Sequence, residues 1–139
     1  MSLRRALYAF AAGFLATLFF HQPTLWILKL LGITTRSPYN MSPTWPLGVP
    51  SVISLAFWGG VWGIAMIAAI ARLRGAYYPL AMVFGALLPT AVAVLVVAPL
   101  KGAPITGDRT KLLILGLSVN AMWGLGTALF YRLFTRGGR

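Results

Sequence analysis

Phe57-Trp58-Gly59-Gly60-Val61-Trp62-Gly63 stands in the middle of an uncharged run, residues 37–71. On a helix, Gly59 and Gly63 are four apart and leave one bare strip where a second backbone can come close. Trp58 and Trp62 repeat that spacing and raise an aromatic ridge beside the strip. A related cluster, Asn120-Ala121-Met122-Trp123-Gly124-Leu125-Gly126, recurs near the other end of the chain. Both stretches read as contact surfaces of a small helical membrane protein. The expected fold is all-α, with four transmembrane helices.

Composition points the same way. The 139 residues are 59% hydrophobic and 9% charged, a balance that a soluble domain of this size neither needs nor tolerates. The net charge of +11 sets twelve basic residues against one acid, Asp108. In a soluble chain that imbalance would indicate nucleic acid. Here the basic residues cluster between long apolar runs, so the expected partner is a lipid bilayer with anionic headgroups and not nucleic acid. Cysteine is absent, which removes disulfides, thiolate metal sites and cysteine nucleophiles together.

A bilayer crossing takes about 20 mostly apolar residues. Four segments of the single domain 1–139 qualify, at about 6–22, 51–71, 77–98 and 112–131. Arg4, Arg5 and the apolar stretch after them could pass for a signal peptide. No small-x-small cleavage pattern follows, so a retained helix is expected. Pro23 lacks an N–H and should kink or end that helix. Residues 24–32 are then a short interfacial helix or a bent continuation of the first span. Residues 33–50 form the one long loop. Pro38, Pro43, Pro46 and Pro50 exclude helix and sheet interior there. Tyr39, Met41, Trp45 and Leu47 are too apolar for a solvated linker, so the loop should fold onto the membrane surface or the bundle, with these four side chains shielded. In the third span Pro89 should produce a kink and Pro99 an end.

Orientation follows from the basic residues. Arg4, Arg5, Arg72, Arg74, Arg132, Arg136 and Arg139 lie on one face, seven against the five of Lys29, Arg36, Lys101, Arg109 and Lys111. Both termini are expected in the cytoplasm, with Arg4, Arg5, Arg72, Arg74, Arg132 and Arg136 on lipid headgroups. The equivalent depths of Trp62-Gly63 and Trp123-Gly124 permit a duplicated hairpin, with coincidence in glycine-rich membrane sequence the favoured reading.

No constellation amounts to a reaction. His21 is the only histidine. With Gln22 it is either a proton-sensitive or ligand-binding group or an interfacial side chain bonded to a carbonyl freed by Pro23. One histidine and one aspartate cannot supply the three or four ligands of a zinc or iron site, so neither a metal nor a cofactor is expected. Asp108 beside Arg109 reads as a loop ion pair. Asn120, with Gly116 and Gly124 four residues to either side, is expected to bond across a helix interface. Its alternative role is in a polar path with Thr90, Ser118 and Thr127 near the bilayer midplane. No catalytic residue is assigned and an enzyme is not expected.

His21-Gln22-Pro23, residues 37–43, Pro46-Leu47-Gly48-Val49-Pro50, residues 57–63 and Ala98-Pro99-Leu100-Lys101-Gly102 together carry a resemblance. The whole chain resembles a group of small, uncharacterised four-span inner-membrane proteins of proteobacteria. The resemblance implies a span count and a bacterial inner-membrane location, and no activity, substrate or site residue.

Two functions follow. The first is a structural or accessory bundle that packs through Gly59, Gly63, Gly116, Asn120 and Gly124, as a homo-oligomer or on a larger membrane complex. The second is a small oligomeric transporter or channel with a polar path past Asn120 and Thr90, His21 and Gln22 being the further candidates for a polar or ligand site. Proton-driven transport usually needs a buried carboxylate, and no span holds one, which favours the accessory role.

Overall fold

A computed structural model describes residues 1–73, 76–102 and 107–136. Four helices are long and apolar enough to cross a membrane: α1 (Leu3–Leu30), α2 (Ser51–Ile70), α3 (Tyr77–Leu100) and α4 (Arg109–Arg136). They describe an all-α bundle of multi-pass membrane character. The helices stand in the order α2-α1-α4-α3, because α1 packs extensively on α2 and α4, and α3 on α4, while α2 touches α3 and α4 only lightly. Tyr8 meets Phe134 with ring centroids 6.2 Å apart, so both chain ends share one face.

The first span does not end at Gln22. It widens into a π turn over Thr17–His21, in which the Gln22 N–H donates to the Thr17 carbonyl, and then runs on to Leu30. The extra residue in that turn takes up the donor that Pro23 lacks, so the axis continues through the proline. Thr24 Oγ1 donates to the Phe20 carbonyl at 2.7 Å on the same turn. Leu25 and Leu28 are buried with Leu115 and Val119 of α4. Residues 24–30 are therefore a continuation of α1, and no separate interfacial helix exists among the described residues.

In α3 the helix passes Pro89 unbroken, with the Ala93 N–H shared between the Pro89 and Thr90 carbonyls. The irregular turn comes later, at Ala93–Val97, and again a proline follows it, Pro99.

The proline-rich loop closes on a two-residue ladder of β1 (Pro43–Thr44) and β2 (Val49–Pro50), antiparallel with Pro43 opposite Pro50. It also caps α2: the Ser51 and Val52 N–H groups donate to the carbonyls of Ser42 and Asn40, each at 2.9 Å. Helix starts leave such donors unpaired, which fixes the loop to the bundle. The expected shielding of its apolar side chains fails, however. Trp45 is 93% exposed, Leu47 84% and Met41 64%. At a bilayer edge the apolar phase lies outside the protein, so these residues need no cover from the chain.

Asp108 departs from expectation too. It pairs with no basic side chain among the described residues. Its Oδ1 accepts the N–H of Thr110 at 2.9 Å and of Lys111 at 3.3 Å, capping α4. A short carboxylate reaches the free donors of its own helix more readily than a mobile neighbouring guanidinium.

Candidate functional site

The geometry of interest is a seam of close backbone contacts, repeated in the two hairpins. In the first, Gly59 and Gly63 of α2 lie against Ala9 and Gly13 of α1, so near that a Cβ on Gly13 would strike the Gly59 carbonyl. In the second, Asn120 and Gly124 of α4 lie against Ala81 and Gly85 of α3, and a Cβ on Gly124 would strike the Ala81 carbonyl. Ala-x3-Gly thus faces Gly-x3-Gly in one hairpin and Asn-x3-Gly in the other. Small residues at four-residue spacing let backbones approach in lipid, where packing replaces the hydrophobic effect as the driving force.

A polar node joins three helices at this level. The Gly13 carbonyl accepts the Thr17 hydroxyl at 3.0 Å and the Trp123 indole Nε1–H at 3.0 Å. Gly59 lies over it, with no room for a side chain beside Thr17 and the indole. Trp123 is 2% exposed and Thr17 1%. An indole N–H buried in hydrocarbon without a partner would cost several kcal/mol, so this bond fixes how α4 docks on α1.

Asn120 Nδ2 donates to Thr90 Oγ1 across the α3–α4 seam at 2.9 Å. Gly116 sits under the same threonine, and a Cβ there would stand 2.8 Å from Thr90 Cγ2. Thr90 is buried and Asn120 half-buried. Thr127 is turned to its own helix, its hydroxyl donating to the Trp123 carbonyl at 2.9 Å.

His21 and Gln22 belong to a different cluster, where the loop meets the widened turn of α1. Gln22 is buried. Its Oε1 accepts the Tyr39 N–H at 2.7 Å, and its Nε2 donates to His21 Nδ1 at 3.2 Å. The Tyr39 hydroxyl donates to the Leu18 carbonyl at 2.8 Å. That carbonyl is left over: its α-helical donor, Gln22, has gone to Thr17, and the next N–H would belong to Pro23. So Tyr39, not His21, takes the freed carbonyl. Tyr39 does this with φ at 52°, a left-handed backbone uncommon for a non-glycine residue, which its two bonds hold in place.

The described arginines at the face shared by the termini, Arg4, Arg5, Arg72, Arg132 and Arg136, are all exposed. Arg74 and Arg139 lie outside the described residues. Arg132 is stacked on two rings, its guanidinium 4.4 Å from the Tyr77 ring centroid and 4.8 Å from that of Tyr78.

Sequence reasoning missed Gly13, Thr17 and Gly85. The signal was present as Ala9-x3-Gly13-x3-Thr17 and Ala81-x3-Gly85, the small-residue partners that the α2 and α4 strips require. Comparison with family models, with curated proteins and with solved structures gives no match.

Proposed function

We propose that this chain is an accessory helix bundle of a bacterial inner membrane, associating with further copies of itself or with a larger membrane complex, both termini in the cytoplasm. The location rests on the resemblance and the orientation on the arginine count. The glycine strips expected to serve that association are occupied inside the chain, so a different surface must carry it.

The observation that carries this reading is the bare end of α3. Among the described residues, 93–100 touch no helix or strand beyond α3 itself. Leu95 is 72% and Leu100 82% exposed. The Ala98 N–H donates to the Ala93 carbonyl, and Pro99 has no N–H, so the Val94 carbonyl loses both of its helical donors. In hydrocarbon an unpaired carbonyl costs several kcal/mol, and a partner bringing a donor would remove that cost. The bond between Asn120 and Thr90 supports the accessory reading over a transport path, since each side chain is turned to the other.

The test uses the absence of native cysteine. A Val96→Cys variant oxidised in native membranes should form an adduct, with a second copy or with a partner. The control is Val83→Cys, exposed on the other end of the same helix. An adduct yield at 96 no higher than at 83 would remove this surface from the proposal. Reporter fusions that put residue 136 outside the cytoplasm would reverse the orientation.

A further inference from the structure

We propose that a groove on α4, at the face shared by the chain termini, binds a single anionic phospholipid, its phosphate on Arg132 and Arg136 and the upper part of an acyl chain on the apolar floor. The groove measures about 310 Å³, the lower end of the range for small-ligand sites. That is room for a glycerophosphate and the start of one chain, not for a whole lipid. Its floor is Phe20 from α1 with Leu129, Phe130 and Leu133 from α4, and its rim is Tyr78, Arg132 and Arg136.

The arrangement is that of an amphiphile held upright. Phe20 also fills the space over Gly126, where any Cβ would strike its ring, and its ring meets Phe130 edge-on at 5.8 Å. This pins the apolar end of the groove. Four residues separate Arg132 from Arg136, so both guanidinium groups emerge on one face of α4, one turn apart. Like charges at that spacing repel unless an anion lies between them.

No acidic side chain of this chain can be that anion. The only acid is Asp108, at the opposite end of α4 and roughly 36 Å away along the axis. Arg132 is moreover held in place before any ligand arrives. Its guanidinium rests on Tyr77 and Tyr78, and Nη1 donates to the Tyr78 hydroxyl at 3.3 Å. Stacking fixes the plane and leaves the other N–H groups for a phosphate, a geometry for which arginine suits and lysine does not.

The experiment uses the full chain, delipidated in a neutral detergent. Phosphatidylglycerol, phosphatidylcholine and soluble glycerol phosphate are offered to it, and retained ligand is read by native mass spectrometry. Each basic group near a headgroup contributes about fivefold to binding, so phosphatidylglycerol should be retained more than tenfold better than phosphatidylcholine. Arg132→Gln with Arg136→Gln should abolish that preference. Arg4→Gln with Arg5→Gln removes the same charge from the same face and should leave it intact. Leu129→Trp fills the floor from an exposed position, so it does not endanger folding, and should lower phosphatidylglycerol retention while both arginines remain. Arg132→Lys should fall in between.

Equal retention of the two lipids, or equal losses in the two double variants, would overturn the site in favour of diffuse surface charge. Glycerol phosphate binding as well as the lipid, with Leu129→Trp silent, would make it a free-phosphate site and overturn the lipid assignment.

Discussion

In α1 the turn Thr17–His21 widens and Pro23 follows. In α3 the turn Ala93–Val97 widens and Pro99 follows. The backbone defect is of the same kind: a carbonyl, Leu18 or Val94, whose helical donors are used up. The surroundings differ completely. The first defect is packed on α4 and closed by Tyr39, whose hydroxyl meets the Leu18 carbonyl. Among the described residues the second meets no other helix or strand, and no side chain closes it. A widened turn before proline therefore marks a place where a helix needs an outside donor, and the described residues provide it only once. The uncovered copy is where an association surface is expected.

The contrast can be broken in order of expected effect. The largest losses should come from the seams on which it rests. Gly59→Leu drives a side chain into a junction of three helices and Gly85→Leu into a seam of two, so both should destabilise the bundle by about 3 kcal/mol or more, Gly59→Leu the more severely. The thermal unfolding midpoint in mild detergent reads this, and an unchanged midpoint for either would mean that the backbones are not in contact.

Tyr39→Phe comes next, with a loss of about 1–3 kcal/mol from the stranded Leu18 carbonyl. Combining it with Pro23→Ala supplies a new N–H and should recover part of the loss, a non-additivity that a double-mutant cycle detects. Strict additivity would show that Tyr39 and Pro23 do not act on the same carbonyl. Asn120→Leu should cost less, ~0.6–2 kcal/mol, and should leave any oligomer seen by cross-linking intact. Smallest is Pro99→Ala. In the isolated chain it should change stability by less than about 1 kcal/mol, and in the favourable direction, since it adds a donor and disturbs no contact. A loss as large as that of Tyr39→Phe would show that residues 93–100 are packed after all, and the contrast would fall.

Much of the bundle is legible in the residues alone, and what is not has identifiable causes. Length and hydropathy mark the four spans because a bilayer demands both. The four-residue spacing of Gly59 with Gly63 and of Asn120 with Gly124 points to close contacts, although not to the helices met. Pro23 reads as a helix end, because sequence shows the missing donor and not the added residue that absorbs it. Trp45 and Leu47 read as shielded because composition does not say which side of a surface is apolar. Asp108 beside Arg109 suggests a pair, while the carboxylate goes to backbone donors that every helix start leaves open. Tyr39 shows no periodicity at all; its role depends on a fold-back that only the three-dimensional arrangement reveals.

The order α2-α1-α4-α3 places the first and last helices of the chain side by side in the middle. This has a consequence for biosynthesis. When the α1–α2 hairpin leaves the ribosome, the face of α1 that carries Thr17 and the Gly13 carbonyl still lacks Trp123, and it stays open until the 28 residues of α4 have been made. A chain stopped before α4 would display that face to the membrane's proteases, so the α1 seam closes only once α4 is in place.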